Sequence, residues 1–546
     1  MKTIIIGGVA AGTSVAAKLR RNDELREIII FEKGRYISYS TCGMPYFIGR
    51  HDIKAGDLIP RNPQWFAERF RIDIRIRHEV MKISPDTKTI EIKNLETDAV
   101  FTESYDDLVL ATGSRAVLPP IDGLASDNVF TLKTMEDTLA LNEYIGGRRI
   151  RNAVVIGSGF IGLEIFENLM ERGIHTHIIE AKDRLLPAID DDMSVWIEDY
   201  FTQKGFGFSV GEYAARIDGA AVHAKSGHSY PADLVIVSSG VRPETGLAEA
   251  AGIELGATGA IKTDETMNTS VPGIKAVGDC AEGWSAATGK PMYRPMGSTA
   301  NKTGRIAGDS LSGGGLKFRG VLGTGILRFF NLSIGFTGMT QSEAESLGYD
   351  VEVIHNIKEN QSKYLPESRE MIIKAVADRN TGKLLGVQII GEKGVDKRLD
   401  VFVTAITFGA SVEDLFHLDL SYAPPFSTTK DPVLYTGMIL GNAIYRGRKI
   451  ITPAQLMGNE SSYQIIDVRS QKDFDKGHVA GALHIPLSVL RERRAELDPS
   501  KPTITYCNKG VSGNAAQNLL INSGFAEVYN MSGGFKNYKV YKSNRG

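Results

Sequence analysis

Two of the three cysteines in this sequence lie in segments that favour thiol chemistry. Cys42 is in SYSTCGMPYF, a stretch rich in the Ser, Thr, Gly and Pro residues that form turns and helix caps. Cys507 follows an apolar stretch and opens the loop CNKGVS, which leads into a predicted helix. Since helix N-termini and loop N–H groups stabilise negative charge, both positions predict a nucleophilic thiolate. The third cysteine, Cys280, follows an apolar strand and is interpreted as structural.

The composition limits the classes of function. The chain has 546 residues, enough for three or four domains, and a net charge of −2. This balance argues against a nucleic-acid or membrane partner, and no apolar run approaches the roughly 18 residues of a membrane span. Three cysteines are too few and too odd a set for a secreted disulfide framework, so we predict a cytoplasmic protein with reduced thiols. No metal site is predicted.

Two strand–glycine loop–helix–strand units must position this chemistry. KTIIIGGVAAGTSVAAKLRR with EIIIFE forms the first, and RNAVVIGSGFIGLEIFENLMERGIHTHIIE forms the second. Both have the pattern of a βαβ nucleotide-binding unit. The sequence therefore predicts two dinucleotide-binding domains, with the second inserted into the first.

The second unit carries the clearer fingerprint. GSGFIG, residues 157–162, fits G-x-G-x-x-G between a strand and a helix, which brings backbone N–H groups to a pyrophosphate. Glu180 ends the next strand, where a carboxylate accepts ribose hydroxyls and repels a 2′-phosphate; this modestly favours NADH over NADPH. The predicted NAD-binding residues are Gly157, Gly159, Phe160, Ile161, Gly162, Glu164, Glu180 and Gly240.

The first loop, GGVAAG, departs from that fingerprint. Gly7 and Gly12 hold the first and third glycine positions, but Val9 occupies the second. Glu32 still ends the following strand, and a later Gly278-Asp279 pair can bond a ribityl hydroxyl. We therefore expect FAD, the partner that a nicotinamide domain needs. The predicted FAD-binding residues are Gly7, Ala10, Ala11, Gly12, Glu32, Lys33, Ala111, Thr112, Gly113, Gly278 and Asp279.

The rest of the chain changes pattern twice. Residues 325–445 read as antiparallel strands with a helix at DKRLDVFVTAITFG, and the C-terminal part alternates strands and helices again. The predicted fold class is α/β, with two Rossmann-like domains, an α+β domain and a small C-terminal α/β domain. The predicted boundaries are 1–115 with 249–324 for the FAD domain, 116–248 for the NAD(P)H domain, 325–445 for dimerisation, 446–455 for a linker and 456–546 for the last domain.

The motifs together resemble a known family. GGVAAG, STCGMPY, GSGFIGLE, IEAKDRLLP, AVGDCAE and DLSYAPPFSTTKDPV make residues 1 to about 445 similar to the coenzyme A-disulfide reductases, FAD enzymes of the pyridine nucleotide–disulfide oxidoreductase class. Val9 is a departure that this family shares. Many disulfide reductases carry a second cysteine five residues after the first, where this chain has Phe47. The resemblance implies a homodimer with one redox cysteine per flavin, and the second sulfur comes from the substrate or a bound coenzyme A.

The resemblance also implies further site residues. Tyr364 and Tyr422 are expected to approach the active site from the partner subunit, where a phenol can donate to a leaving thiolate or the flavin. An interface aromatic is the alternative reading of each. Coenzyme A needs cations and polar groups for its phosphates, and the family match assigns it Ser14, Lys18, Arg21, Ser38, Thr41 and Lys430. A solvated charged face is the alternative reading of that set.

The C-terminal segments resemble a rhodanese domain. IIDVRSQKDFDKGHVAGALHIPL and ITYCNKGVSGNAAQNLLINSGF carry the likeness, which implies that Cys507 holds a sulfane sulfur as a persulfide. The sixth loop residue, commonly arginine, is Ser512, so a cation for the thiosulfate dianion is missing unless Lys509 replaces it. Asp467 and Arg469 are predicted to form a structural pair. A catalytically inactive rhodanese fold is the alternative.

The predicted activity is the reduction of CoA persulfide, polysulfide or CoA disulfide by NADH or NADPH through FAD and Cys42. Cys507 would deliver sulfane sulfur, with coenzyme A as substrate or as a tightly bound cofactor. One alternative is an NADH oxidase or peroxidase that uses Cys42 as a sulfenic acid. Another is a redox sensor or sulfur-carrier scaffold in which Cys42 and Cys507 relay sulfur with little turnover.

Overall fold

The computed structural model describes residues 1–546. The chain forms two compact units, Met1–Asp183 with Phe208–Val321, and Arg184–Gly207 with Leu322–Gly546. Residues 184–207, which lie within the predicted NAD(P)H domain 116–248, group with the second unit. No helix in either unit has the length and apolar content that crossing a bilayer requires.

The first unit begins with a five-stranded parallel sheet. Its strands, in spatial order, are Ile274–Ala276, Asp107–Leu110, Lys2–Ile6, Glu27–Glu32 and Asp73–Ile76. They are rich in β-branched residues and buried on both faces, as expected of a parallel sheet. Beside this sheet lies an antiparallel group of three strands, His78–Ser84, Thr89–Asn94 and Val100–Ser104.

A second sheet in the first unit repeats the design. Its order is Gly207–Val210, His175–Glu180, Asn152–Ile156, Leu234–Val237 and Val129–Phe130. Three antiparallel strands accompany it, namely Ala214–Ile217, Ala221–Ala224 and Ser229–Pro231. The chain enters and leaves this region through the antiparallel pair Ser114–Ala116 and Val241–Pro243. That pair agrees with the expected insertion of one nucleotide-binding unit into the other.

Helices connect and cover these sheets. In the first unit they are Ala10–Asn22, Met44–Gly49, Ala55–Leu58, Pro63–Phe70, Met135–Gly146, Phe160–Glu171, Gly246–Ala250 and Gly297–Leu311, with 3-10 turns at Thr41–Gly43 and Gly278–Cys280 and a hairpin of Gly283–Trp284 with Pro291–Met292. Ala10–Asn22 packs along Gly297–Leu311 through small side chains. Gly304 and Gly308 lie against the backbone of the first helix, where a Cβ would overlap it.

The second unit contains the expected antiparallel sheet. Its strands, in spatial order, are Gly325–Phe329, Leu332–Gly338, Leu384–Gly391, Glu370–Asp378 and Val351–Glu359. The predicted helix in DKRLDVFVTAITFG is present as Val395–Thr407 and packs on this sheet. The other helices associated with this sheet are Asp191–Lys204, Gln341–Ser346, Val412–Phe416 and Pro432–Arg446.

The C-terminal domain of the second unit is a parallel sheet in the order Ile450–Ile451, Val528–Met531, Thr503–Tyr506, Gln464–Asp467 and Leu483–His484. Its helices are Pro453–Leu456, Gln471–Asp475, Leu490–Arg493, Val511–Asn522 and Gly534–Arg545, with 3-10 turns at Glu460–Ser462, Leu487–Val489 and Arg494–Glu496. Ile450–Ile451 pairs with Val528–Met531. The predicted linker, 446–455, therefore contributes an edge strand, in which Ile451 is buried and Ile450 is half-buried.

A buried ionic network explains why residues 184–207 belong to the second unit. The ammonium of Lys374, only 1% exposed, contacts Asp192 at 2.7 Å and Asp190 at 3.1 Å. His355 lies 3.0 Å from Asp192, and its backbone N–H donates to Ser532 of the C-terminal domain. Three segments distant in sequence thus share one set of buried charges.

Candidate functional site

The two glycine loops of the first unit have the close backbone approaches that their sequences predict. Gly7 and Gly157 both have φ above +100°, a region that favours glycine. A Cβ on Gly12 would overlap the carbonyl oxygen of Gly7, and one on Gly162 would overlap that of Gly157. Val9 is tolerated at the missing glycine position because its φ is −95°, outside the region that favours glycine.

Each loop is tied to the acidic residue that ends the next strand. Glu32 accepts hydrogen bonds from the backbone N–H groups of Gly8 and Gly34, both at 2.7 Å. Glu180 accepts from the N–H groups of Ser158 at 2.8 Å and Lys182 at 2.9 Å. Burial raises the pKa of Glu32, although these N–H donors act in the opposite direction. Each Glu32 oxygen keeps a lone pair for a ribose hydroxyl, as does Glu180 Oε1, whereas Glu180 Oε2 also accepts from the Ser158 hydroxyl at 2.7 Å.

The helices after both loops leave their first N–H groups for a ligand. Ala10–Asn22 and Phe160–Glu171 begin without a side-chain cap and without an acidic residue in the first turn. Met135–Gly146 differs, since it has a complete capping box built from Thr134 and Asp137. Uncapped helix N-termini beside glycine turns fit the pyrophosphate of a dinucleotide, so the residues present are compatible with FAD at the first loop and NAD(P)H at the second.

Asp279 has partners that the sequence did not reveal. Its carboxylate accepts from the Ser114 hydroxyl at 2.8 Å and lies 3.4 Å from the Lys133 ammonium. Nearby, the hydroxyl of Tyr293 is buried without a hydrogen-bond partner. These polar groups are the kind that a ribityl chain satisfies, but they lie far apart in the sequence. Cys280 is fully buried and its thiol donates to the Leu110 and Val277 carbonyls, as its structural reading predicts.

Cys42 is exposed and lies in the one-turn 3-10 helix Thr41–Gly43. The helix Met44–Gly49 follows directly, so Cys42 lies two residues before its start, close to the predicted helix N-terminus. Phe47, at the position of a second cysteine in many disulfide reductases, is buried. No neighbouring thiol in this segment can therefore pair with Cys42.

Tyr46 connects the cysteine segment to the second nucleotide loop. Its hydroxyl donates to the carboxylate of Glu164, at 3.3 Å, on the helix that follows GSGFIG. Burial raises the pKa of Glu164 to about 7, and the hydrogen bond from Tyr46 partly opposes that shift. Glu164 was predicted as an NAD-binding residue, whereas Tyr46 was not singled out, because only the fold brings the two helices together.

Three of the residues predicted to contact coenzyme A line the first helix. Ser14 donates to the Asn301 side chain at 2.6 Å, and Lys18 pairs with Asp309 at 2.9 Å. The guanidinium of Arg21 lies over the Phe70 ring, 5.2 Å from its centroid. Their spacing of four and three residues puts these side chains on one helix face. Ser38 and Thr41 precede Cys42 in the segment SYSTCGMPYF, and Ser38 adopts a positive φ of 49°.

The second unit holds the remaining predicted residues, Tyr364, Tyr422 and Lys430. Both tyrosines are exposed, at 75% and 51%. Their loops are joined by the hydrogen bond from the Ser362 N–H to the Pro424 carbonyl. The buried guanidinium of Arg398 fixes both loops, since it donates to the Asn360 carbonyl at 2.8 Å and to Asp431 at 2.7 Å. Sequence reasoning missed Arg398, which has no local motif.

Cys507 is enclosed by its own loop. Its side chain is buried, and the Gly510 N–H donates to its sulfur at 3.2 Å. Gly510 has φ +100°, so a glycine is required where the loop turns into the helix Val511–Asn522. The predicted Asp467–Arg469 pair is present, with the carboxylate and guanidinium 2.5 Å apart. This arrangement suits a sulfur anion on Cys507.

The first unit contains two dinucleotide-binding loops, and the cysteine segment follows the first loop. This arrangement defines the class of disulfide oxidoreductases that bind two dinucleotides. The chain belongs to the pyridine nucleotide-disulphide oxidoreductase family, whose model matches residues 1–298. The family's dimerisation domain matches residues 326–432, and a rhodanese-like domain matches residues 452–540.

Curated relatives and solved structures agree with this assignment. The chain is 34% identical over 443 residues to an NAD(P)H sulfur oxidoreductase (CoA-dependent) of Pyrococcus furiosus, covering 80% of this chain and 99% of the relative. It is similar in structure to reduced Bacillus anthracis CoADR-RHD, with a TM-score of 0.97 and 36% identity over 100% of this chain and 98% of the other. An NAD-dependent persulfide reductase from A. fulgidus has a TM-score of 0.92 and 32% identity, covering 98% of this chain and 100% of the other.

Proposed function

We propose that this protein is an FAD-dependent, NAD(P)H-driven reductase of coenzyme A persulfides, polysulfides and coenzyme A disulfide. The observation that carries the proposal is that Cys42 is exposed, whereas the position five residues later, where many disulfide reductases have a second cysteine, holds the buried Phe47. A disulfide reductase with one cysteine must obtain the second sulfur from its substrate. The relatives named for coenzyme A-dependent sulfur reduction support that reading.

The chain's residues have distinct tasks in this proposal. The first loop and Glu32 hold FAD together with Asp279, and the second loop and Glu180 hold NAD(P)H. When bound, FAD supplies two-electron redox chemistry between the nicotinamide and a sulfur group. The thiolate of Cys42 attacks the outer sulfur of a persulfide R–S–S⁻, which forms a Cys42 persulfide and expels R–S⁻. Two electrons from NAD(P)H and the required protons then release that sulfur as sulfide and restore the thiolate.

The substrate's thiol group is coenzyme A in this proposal. Ser14, Lys18 and Arg21 share one face of the first helix and offer a hydroxyl and two cations. Two of these groups have acidic or aromatic neighbours, so a phosphate must compete with Asp309 for Lys18. Ser38, Thr41 and Lys430 complete the proposed coenzyme A contacts.

The active assembly is a homodimer in this proposal. The match to the family's dimerisation domain supports it, as do the exposed Tyr364 and Tyr422 on loops fixed by Arg398. The partner's tyrosines would supply hydrogen-bond donors to the thiolate R–S⁻ that leaves the substrate persulfide. The cytoplasm is the proposed compartment, because its thiol systems keep single cysteines reduced.

Cys507 is the proposed source of sulfane sulfur. The Gly510 N–H aimed at its sulfur supports a persulfide there. A persulfide on Cys507 passes its outer sulfur to a coenzyme A thiolate, and the resulting coenzyme A persulfide is reduced at Cys42. The hand-off predicts that Cys507→Ser slows polysulfide reduction and narrows the range of sulfur donors.

An oxidase function is the second candidate. A water-forming NADH oxidase from Lactobacillus brevis has a TM-score of 0.78 and 26% identity over 82% of this chain. That match leaves out the rhodanese-like domain, and the CGMPY continuation and the YAPPF motif also favour sulfur reduction. Oxygen reduction is therefore the weaker proposal.

Anaerobic NADH oxidation with sulfide detection tests the proposal. Purified flavoprotein is given coenzyme A persulfide, polysulfide or coenzyme A disulfide, and oxygen and peroxide are added in separate reactions. The expected result is fast turnover with persulfide or polysulfide and one sulfide released per NADH. Turnover with oxygen or peroxide alone would contradict it and favour the oxidase.

A further inference from the structure

Three cations next to the Cys507 loop, Lys509, Lys536 and Arg469, are paired with carboxylates. Lys509, two residues after the cysteine, contacts Glu359 at 2.8 Å and forms a second, shorter ion pair with Glu370. Both glutamates belong to strands of the preceding antiparallel sheet, Val351–Glu359 and Glu370–Asp378. Lys509 was the candidate replacement for the missing loop arginine, but the structure shows it already paired.

Lys536 is neutralised in the same way. Its backbone N–H donates to the Asn508 carbonyl of the loop, so this residue lies beside the Cys507 site. Its ammonium pairs with Glu370. Glu370 therefore bridges Lys509 and Lys536, and two glutamates balance two lysines.

The third cation at the loop also has its own partner. Arg469 contacts the Asn508 side chain at 3.3 Å, but its guanidinium is paired with the buried Asp467. Lys358, the residue before Glu359, lies over the Tyr435 ring, with its ammonium 4.2 Å from the ring centroid. Burial lowers the pKa of Lys358, and the neighbouring Lys509 and Lys430 add to that effect, whereas Glu359 opposes it.

Lys509 and Glu370 stabilise each other's charged forms. Burial opposes the ammonium of Lys509, but Glu359 and Glu370 outweigh it and raise the pKa of Lys509. Burial likewise opposes the ionised Glu370, but Lys509 and Lys536 outweigh it and lower the pKa of that carboxyl. The ion pair between Lys509 and Glu370 is therefore kept at neutral pH.

We propose that Glu359 and Glu370 set the specificity of the Cys507 site by cancelling the charge of Lys509 and Lys536, so that the site accepts organic persulfides and discriminates against inorganic dianions such as thiosulfate. This inference rests on the proposed sulfur-carrying role of Cys507. A dianion gains twice as much as a monoanion from each unpaired positive charge, so cancelling the charges of Lys509 and Lys536 reduces its advantage. The determinant lies in another domain of the chain, outside the rhodanese-like sequence.

The reaction that reports on this site is sulfur transfer from thiosulfate. The Cys507 thiolate attacks the outer sulfur of thiosulfate, the S–S bond of thiosulfate breaks, and sulfite leaves with the electron pair of that bond. The product is a Cys507 persulfide with one additional sulfur atom. No oxidant or reductant is consumed, so sulfite release and the mass of the Cys507 peptide measure the same step.

The test compares charge variants of the full-length holoenzyme in a Cys42→Ser background, where Cys507 is the remaining proposed sulfur acceptor. Coenzyme A thiolate is supplied to take the outer sulfur from the Cys507 persulfide, which regenerates the Cys507 thiolate in each cycle. Glu359→Gln and Glu370→Gln each keep the side-chain shape and leave one unpaired positive charge. For a charge about 8 Å from the donor in water-like surroundings, KM for thiosulfate falls about fivefold. KM for hydroxyethyl persulfide, a monoanion, falls only about twofold.

Three controls separate charge from folding. Lys509→Gln added to Glu359→Gln restores the net charge and should return KM to the parent value. Glu527→Gln removes a carboxylate from the Lys449 pair at the opposite, amino end of the same sheet and should leave KM unchanged. Thermal unfolding of each variant shows whether the domain remains folded.

The outcomes are distinguishable. Lower thiosulfate KM in both glutamate variants, reversed by Lys509→Gln, supports the inference. Rapid thiosulfate turnover by the parent protein with no response to either glutamate variant would overturn the inference and leave the role of Cys507 intact. No sulfur on Cys507 from either donor would overturn the proposed role of Cys507, and the inference with it.

Discussion

The two cysteine sites differ in where their partner groups come from. Cys507 receives its N–H donor from Gly510, three residues away, and its charged neighbours all belong to the same unit. The residues assigned to the Cys42 site are divided, because Cys42 lies in the first unit and Tyr364 and Tyr422 in the second. A sulfur-carrying site can thus be built within one unit, whereas the proposed reducing site depends on residues of the partner subunit.

The largest predicted effect is the loss of sulfur loading at Cys507. Cys507→Ser should reduce formation of the rhodanese persulfide by about 10³-fold or more, because the nucleophile is removed. Reduction of coenzyme A disulfide, which needs no sulfane sulfur, should stay within about twofold of the parent rate. Peptide mass spectrometry and NADH oxidation measure the two activities. Equal loss of both would contradict independent sites.

A second prediction concerns the stability of the second unit. Lys374→Met leaves the carboxylates of Asp190 and Asp192 buried without their cation. Breaking such a buried pair should cost about 3–5 kcal/mol of unfolding free energy. Denaturant unfolding monitored by circular dichroism tests this, and Lys262→Met at an exposed pair should unfold like the parent. A parent-like midpoint for Lys374→Met would refute the structural role of the network.

The same network predicts how stability depends on pH. Burial tends to raise the pKa of Asp192, but Lys374 and His355 outweigh it and hold the pKa well below its usual range. The unfolded carboxyl titrates near its ordinary value of about 3.9. The stabilisation is therefore complete above that value and is lost as pH falls towards the folded pKa. Unfolding midpoints measured from pH 6 down to pH 3 should decline less steeply in Asp192→Asn.

The smallest predicted effect is a pH dependence of the NADH reaction that arises from Glu164 in the first unit. Burial raises the pKa of Glu164 to about 7, so this carboxyl changes charge within the working range. In Glu164→Gln, the pH profile of kcat/KM for NADH should lose its inflection near pH 7, with rates within about threefold of the parent at pH 6. Tyr46→Phe removes a hydrogen bond that lowers this pKa, so the inflection should move upward.

A downward movement of the inflection in Tyr46→Phe, or an unchanged profile in Glu164→Gln, would show that another group titrates. Neither substitution should alter thiosulfate transfer at Cys507, whose charged neighbours are firmly paired.

Local patterns allowed much of the fold to be predicted. The glycine loops, their strands and helices and the antiparallel sheet follow from hydrophobic runs and turn residues that act within about 30 residues. Ile450–Ile451 was assigned to a linker because two apolar residues carry too weak a signal for a strand. Residues 184–207 were assigned to the NAD(P)H domain because the sequence gives no sign that Asp192 pairs with Lys374.

The candidate site residues were predictable where they lie in local sequence motifs. Cys42, Glu32, Glu180 and Cys507 lie in motifs, whereas Arg398 fixes its two loops through Asn360 and Asp431, which are 38 and 33 positions away along the chain. Glu359 and Glu370 lie in ordinary strand sequence, and nothing there indicates a lysine about 140 to 150 residues later. Chemistry held in one motif can be read from sequence, while charge pairing between domains requires the fold.

Anaerobic NADH oxidation with coenzyme A persulfide tests most directly whether Cys42 receives the sulfur. The measurement compares the parent protein with Cys42→Ser. The account predicts that Cys42→Ser, with FAD bound normally by its absorbance spectrum, loses about 10³-fold or more of NADH oxidation and sulfide release. Near-normal sulfide release by that flavin-loaded variant would contradict the claim that Cys42 receives the sulfur.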